Sequence, residues 1–454
     1  MTPTRALLLA GSALVAGCFH GRVASPEHTV TTWRAIESTR GAAASEASRS
    51  NTSPKSGPEG QDPGALDARQ TYALAVAQSP SIAVAEARAE VAEASIRRAR
   101  QLDNPQLRLT NFDLQDALAA QPGLNVGLRV PIPRPGTIRA RVAGAELAAA
   151  SQAQWSEEAR HQLRVQIDRL FARMAMLTAD RAEAQRAAEL RAARRDQIGA
   201  RVESRVATRL DAALADVDHA EADAEVARID DALASVHAEL EHLAGASDLR
   251  FRVDPNELKV RDLPLDRDAL TERAMSARAD LRESQSRIGQ AEADAFLARS
   301  KAWPWFDWAQ VQYRVGPGSN ATSFGVGVAL TVPLFSLNLG EIKETKARVR
   351  QRELEERARI TAVAAEIDAA IDRVERTARR VEELEAGLLP RVEGAAREAE
   401  AALAAGSLDP VRASDVLGRT VDARRLHLAA LLEHREAVLD LEAAVGAPIT
   451  GGGR

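Results

Sequence analysis

The chain of 454 residues is short of several things that enzymes and membrane helices need. It has one cysteine, which excludes an intramolecular disulfide framework and any zinc site built on several thiolates. Aromatic residues make up only 3% of it, against 45% apolar residues dominated by alanine, a skew that suits long helices packed closely side by side. Charge of neither sign prevails: 60 basic and 65 acidic residues leave a formal net charge of −5, with no basic excess to hold a nucleic-acid backbone. After the N-terminal segment no apolar run reaches the roughly 20 residues that cross a bilayer as a helix. A glycine-rich phosphate loop is also missing, so any energy from nucleotide must come from another protein.

What is present begins with an apolar stretch, Ala6 to Val15, behind a basic Arg5 and ahead of the small residues Ala16 and Gly17, which reads as a secretory signal peptide over residues 1–17. The run Val15-Ala16-Gly17-Cys18 resembles a bacterial lipobox, which implies an acyl lipid on Cys18 and a mature chain starting there; the alternative is an unmodified cysteine in a signal peptide cleaved nearby. More than one acyl chain anchors a protein stably. Phe19 follows, where an Asp would resemble an inner-membrane retention signal, so the outer membrane is the expected location. Residues 18–64 are rich in Ser, Pro, Gly, Thr and Glu, and are expected to form a linker.

The rest of the chain repeats once. Leu66-Asp67 recurs as Leu265-Asp266, Pro105 as Pro304, Pro131 as Pro333 and Gly245 as Gly446, all 199 to 202 residues apart. A period that long indicates duplication of a subdomain, not a solenoid. The predicted repeats are residues 65–245 and 265–447, joined by a connector at 246–264 and followed by a tail at 448–454. Each half is predicted to run as a helix, two strand-like segments and a very long helix. Leu163, Ile167, Leu170, Met174 and Leu177 step by three and four, as do Ile367, Ile371, Val374, Ala378 and Val381. Such spacing is a coiled-coil seam. With no proline between Gly136 and Asp254, one helix from about Thr137 can extend for roughly 95 Å at 1.5 Å per residue.

The strand-like segments alternate. Leu124, Val126, Leu128 and Val130 share one face and Asn125, Gly127 and Arg129 the other; Phe324, Val326, Val328 and Leu330 stand likewise against Gly325, Gly327, Ala329 and Thr331. A partner precedes each, at Gln106–Phe112 and Ala309–Val315. The length suits transmembrane β-strands of roughly 9 to 11 residues, with Val126, Leu128, Val130, Val326, Val328 and Leu330 toward lipid. The alternative is a soluble hairpin packed on a helix. Trp303, Trp305 and Trp308 crowd at the entry to one strand, as interfacial aromatics would, or as a local aromatic core. Four strands cannot close the smallest barrel of about 8, so a membrane-spanning sheet of this kind requires a homo-oligomer.

On these residues the chain resembles the TolC-like outer-membrane factor family. The matching pieces are Asn104-Pro105-Gln106-Leu107, Gly127-Leu128-Arg129-Val130-Pro131-Ile132-Pro133, the run from Gly325 to Phe335, Ala207-Thr208-Arg209-Leu210-Asp211, Gly406 followed by Asp415-Val416-Leu417, and Leu441 to Gly446. The resemblance implies a mainly α fold with a small membrane β part. In it, three protomers give four strands each to a 12-stranded barrel, continued by an α-helical tunnel through the periplasm that docks on an adaptor protein and an inner-membrane pump. The sequence departs from the family at Leu403, where an aromatic is common, at Gly418, where a second acid occurs, and at Arg205, where the first half lacks a glycine.

No catalytic constellation stands out. His161, His219, His237, His242, His427 and His434 lie among Ala and Glu on helices, without the paired spacing of a zinc hydrolase, and are expected on solvated faces. Only Met174, Met176 and Met275 follow the initiator, too few for a thioether relay carrying copper. A conduit needs instead electrostatic control at its narrowest point. Asp211 and Asp415, at the matching turns of the two halves, are the candidate periplasmic gate; helix capping or plain surface acid is the alternative. The expected protein is therefore no enzyme and needs no cofactor beyond the lipid on Cys18: a lipid-anchored, homotrimeric exit duct in the outer membrane, serving an efflux pump or type I secretion system by passive transport. A pore-less periplasmic coiled-coil or adaptor lipoprotein is the competing reading. The cargo is not legible.

Overall fold

The computed structural model describes residues 65–110, 124–254, 256–260, 263–315, 323–333, 337–405 and 407–449. Leu66–Ala244 and Phe251–Arg454 form one compact unit, which holds every element described below; Gly245–Arg250 groups with the N-terminal segment. Cys18 lies outside the described residues, as do Gly406 and Phe112.

The element order repeats. In the first half, α1 (Ala68–Gln78) and α2 (Pro80–Arg100) lead to β1 (Gln106–Thr110) and β2 (Leu124–Pro131), then to α3 (Thr137–Glu203) and α4 (Arg209–Ala244). The second half follows with α5 (Arg267–Ala277), α6 (Ala279–Ser300), β3 (Trp305–Val315) and β4 (Ser323–Thr331). It then runs through α7 (Leu339–Glu383), a wide π-helical turn over Leu384–Leu388, α8 (Leu389–Ala404) and α9 (Pro410–Val445).

The repeated Leu-Asp pairs are the starts of the two halves. Asp67 caps α1 in a reciprocal box with Gln70, and Asp266 caps α5 by accepting from the backbone of Asp268 and Ala269. Each carboxylate satisfies amide donors that the first helical turn leaves unpaired. The single opening helix expected in each half is broken in two. Pro80 lacks the N–H that would continue α1, so Ser79 turns extended. In the second half Arg278 is extended instead, its guanidinium held by Asp280 at 2.8 Å, Glu366 at 2.9 Å and the Ala444 carbonyl at 2.7 Å.

With 67 residues, α3 runs about 100 Å without a break. Its counterpart is interrupted at Pro390, immediately after the wide turn, in which Leu389 N–H reaches back to the Leu384 carbonyl. A proline inside an α-helix clashes with the carbonyl four residues earlier, and widening the turn relieves that clash.

The coiled-coil seam residues make the cores. Leu163, Ile167, Phe171 and Met174 of α3 bury with Ile229, Val236 and Leu240 of α4, while Val363, Ile367, Ile371 and Val374 of α7 bury with Ala437, Val438 and Leu441 of α9. Ion pairs then tie the halves together. Asp440 of α9 accepts from Arg169 of α3 at 2.6 Å and from Arg373 of α7. Arg425 of α9 reaches Asp180 of α3 at 2.5 Å and Glu225 of α4 at 2.5 Å. The histidines depart from expectation at His434, which is buried between α7 and α9 with Nδ1 at 3.1 Å from Thr377 Oγ1; burial pushes its pKa down, so it sits as a neutral core group.

All four strands form one antiparallel sheet in the order β1-β2-β3-β4. The central pairing joins the two halves, with Leu128 opposite Val311 and Val126 opposite Tyr313.

Candidate transmembrane sheet and helical turns

The sheet has two unlike faces. Along one, Leu107, Leu109, Leu128, Val130, Val311, Tyr313, Phe324, Val326, Val328 and Leu330 are all exposed, Phe324 and Val326 to about three-quarters of their surface, and Val126 is half-buried beside Tyr313. So broad an exposed apolar patch is unusual on a soluble monomer and marks a surface that something apolar covers. No described helix lies against it as the soluble-hairpin alternative requires. The six residues read from the sequence as lipid-facing fall on this face. Among the described residues no helix is long and apolar enough to cross a membrane.

On the opposite face, glycines let long polar side chains lie flat. A Cβ on Gly127 would come 2.7 Å from Gln310 Nε2, and one on Gly325 would come 3.0 Å from Gln312. Trp308 lies over Gly327, and the Arg129 guanidinium stacks on the Trp308 ring at 3.8 Å. The three tryptophans therefore do not share one environment. Trp303 is exposed, Trp305 donates Nε1 to the Ile132 carbonyl at 3.0 Å, and Trp308 belongs to the polar face. A bulge between Phe306 and Trp308 resets the alternation, so that Phe306, opposite Leu330, continues the apolar row.

The sheet passes into the helices through rigid junctions. Arg134, between β2 and α3, donates to the carbonyls of Ser300 and Trp303 at 2.7 Å each. Gly136 starts α3 at φ 80°, and a Cβ there would meet Phe296 at 2.7 Å, so a side chain at this position would be strained. Asn338 starts α7 at φ 55°, a left-handed position that asparagine tolerates.

At the far end of the helices, α3 and α8 each turn back. Val206 and Ala207 N–H both bond the Arg201 carbonyl, at 2.7 and 3.1 Å; Ser407 and Leu408 both bond the Ala402 carbonyl, at 2.9 and 3.2 Å. The two turns are thus the same motif, and they lie together: Arg201 bridges to Asp409 at 3.1 Å and Arg194 to Asp415 at 3.3 Å.

Both candidate gate carboxylates have local partners. Asp211 accepts from Thr208 N–H at 2.8 Å and Oγ1 at 2.7 Å, bonds that hold its carboxyl below the usual range and cap α4. Asp415 stays 58% exposed beside Arg194. From Val206 in the turn along the start of α4, at Leu210, Leu214 and Val217, runs an exposed apolar stripe that the sequence reading missed, although the spacing was there to find. Among the described residues no group of His, Cys, Asp and Glu is placed to hold a metal ion.

No protein-family model and no curated protein matches the sequence. Solved structures do. The outer membrane protein VceC from Vibrio cholerae superposes with a TM-score of 0.68 at 18% identity, over 84% of this chain and 96% of that one. CusC, whose structures describe transmembrane channel formation, gives a TM-score of 0.70 at 15% identity over 87% and 96%. The open-state MtrE outer membrane channel of Neisseria gonorrhoeae gives 0.69 at 17% over 84% and 89%. These proteins are described as outer-membrane proteins and channels, not as enzymes. The chain has their fold, and the resemblance to TolC-like outer-membrane factors read from the sequence holds at that level.

Proposed function

We propose that the chain is the outer-membrane exit duct of an export system, working as a homotrimer through which cargo passes passively. The observation that carries this reading is the four-stranded sheet with one broad apolar exposed face and one polar, glycine-lined face, set at the end of helices about 100 Å long. Among the described residues β1 and β4 each pair on one side only, and open edges are not tolerated in lipid. Three copies joined edge to edge make a closed 12-stranded barrel, with Val126, Leu128, Val130, Val326, Val328 and Leu330 outward, and the long helices continue it as a periplasmic tunnel. Trp303, the most exposed of the three tryptophans, is the best placed for the membrane interface.

The apolar stripe of Val206, Leu210, Leu214 and Val217 supports docking at the tunnel's far end, by a neighbouring protomer and by a periplasmic adaptor that brings an inner-membrane pump. Asp211 and Asp415 remain the gate candidates in this reading. An acyl lipid on Cys18 adds a second anchor in the outer membrane.

The test uses the full-length chain. Palmitate label should enter at Cys18 and vanish in Cys18→Ser, and the purified oligomer should form discrete conductances in a planar bilayer. An assembled oligomer with no conductance favours the pore-less lipoprotein instead.

A further inference from the structure

The faces of the sheet differ in charge as well as in polarity. Among the described residues of the four strands there is one carboxylate, Asp307, and it sits in the bulge at the helical end of β3, accepting a hydrogen bond from Thr331. Against it stand Arg108 and Arg129 on the polar face. Arg108 lies opposite Gly127, and Arg129 opposite Gln106, so the two arginines are diagonal neighbours, about 7–8 Å apart by sheet geometry. The register position of Arg314, opposite Asn125, falls on the same row.

Neither Arg108 nor Arg129 has a carboxylate partner among the described residues. Arg129 Nε is buried without a hydrogen-bond partner, and its guanidinium is held in place by stacking on Trp308 at 3.8 Å. Two like charges set side by side on a sheet repel, and folded proteins ordinarily relieve this with an opposite charge. Elsewhere in this chain they do: Asp415 pairs with Arg194, and Asp409 with Arg201. Among the described residues none supplies a counter-charge to this pair.

We infer that Arg108 and Arg129 make the barrel wall an anion-selecting lining, which admits anionic solutes in preference to cationic ones. The inference rests on the channel reading above and deepens it by naming a cargo class. In a trimer the pair recurs three times around the lumen, beside Gln310 and Gln312, which lie against Gly127 and Gly325. The field is screened by salt, over about 10 Å at 0.1 M and about 3 Å at 1 M, so the preference is strongest in dilute salt.

Two measurements test it on the full-length trimer. In a planar bilayer under a tenfold KCl gradient, with the gate candidates replaced (Asp211→Asn, Asp415→Asn) so that their carboxylates do not set the selectivity, the reversal potential should report chloride favoured severalfold over potassium. The ratio should fall to one or below in the double variant Arg108→Gln, Arg129→Gln, while Arg129→Lys, which keeps the charge, should preserve it. In intact cells, Gln312→Cys should react severalfold faster with an anionic thiosulfonate than with a cationic one, relative to free cysteine, and lose that bias in the double variant. Should the double variant fail to assemble, Arg108→Gln alone, at an exposed position, should lose part of the preference. Open channels whose reversal potential ignores these substitutions, or that prefer potassium even with the gate aspartates replaced, overturn the inference and leave the channel standing. Assembled trimers that never conduct overturn both.

Discussion

The two halves fold into the same sequence of elements with different side chains at the positions that decide it. Ile167 and Ile367 are both fully buried, and each is followed by an aspartate. Asp168 is packed among Arg435, Arg164, Glu257 and Glu442, whereas Asp368 is 54% exposed beside Arg267. The helix that follows β2 starts on glycine and runs unbroken; the one that follows β4 starts on asparagine and widens before Pro390. Where the first helical hairpin turns, a non-glycine residue, Arg205, takes φ 58°. The backbone path is what the duplication preserves, and each half meets its demands with whatever residue its surroundings allow.

The largest expected effect tests whether the strands of the two halves are equivalent in the membrane. Leu128 on β2 and Val328 on β4 stand on the same exposed row. Arginine at either should cost about 2 to 4 kcal/mol near the bilayer midplane, and arginine at Ala329, on the other face, much less. The measurement is the fraction of heat-resistant trimer across a urea series. A penalty at Val328 without one at Leu128 would break the equivalence, and equal penalties at Val328 and Ala329 would remove the sheet from the bilayer.

A smaller effect separates the two aspartates. Burial pushes the Asp168 carboxyl up to about 6, although Arg435 and Arg164 pull the other way. Its unfolded value is about 4, so the folded state holds a proton between pH 4 and 6 that the unfolded state has released. The resulting stabilisation is complete below about pH 4 and is lost as pH rises through about 6, leaving a charged buried carboxylate that costs up to about 2 to 3 kcal/mol at pH 7. Asp168→Asn should therefore raise the urea midpoint at pH 7 and match the wild type below pH 4. Asp368→Asn, which removes an exposed pair, should stay within about 1 kcal/mol. A fall in stability at pH 7 for Asp168→Asn would mean that its arginines outweigh its burial.

Much of this was legible before the fold was in hand, because each signal had a local cause. Absent proline and steps of three and four marked α3; alternation marked the strands; the recurring Leu-Asp pairs marked the duplication. What escaped depended on partners distant in sequence or on a break in period. His434 reads as solvated until α7 covers it. Trp303, Trp305 and Trp308 read as one girdle until the bulge after Phe306 sends Trp308 to the polar face. The wide turn at Leu384–Leu388 hides because Leu384 and Leu388 keep the seam spacing that leads up to Pro390. Asp211 and Asp415 were found as a pair by position, yet their partners, Thr208 beside one and Arg194 of the other half's hairpin beside the second, separate them chemically.

The smallest effect bears on the two turns at the helical tips. Both route two consecutive amides to one carbonyl, Arg201 in the first and Ala402 in the second, and the first does so with Arg205 in the left-handed region. A side chain there crowds the backbone at a cost of about 1 to 2 kcal/mol, which glycine escapes. Glycine also loses more freedom on folding, by roughly 0.5 to 1 kcal/mol, so Arg205→Gly should stabilise the hairpin by about 0.5 to 1 kcal/mol net. Arg205→Asn should capture part of that gain, since asparagine tolerates the region, as Asn338 does at the start of α7. Arg205→Ala should gain nothing, because its Cβ meets the same obstacle. The order Gly, Asn, then Ala and Arg together, read from urea midpoints, assigns the effect to the backbone. An equal gain from Ala and Gly would assign it to the arginine's charge, and the two turns would then differ in chemistry as well as in sequence.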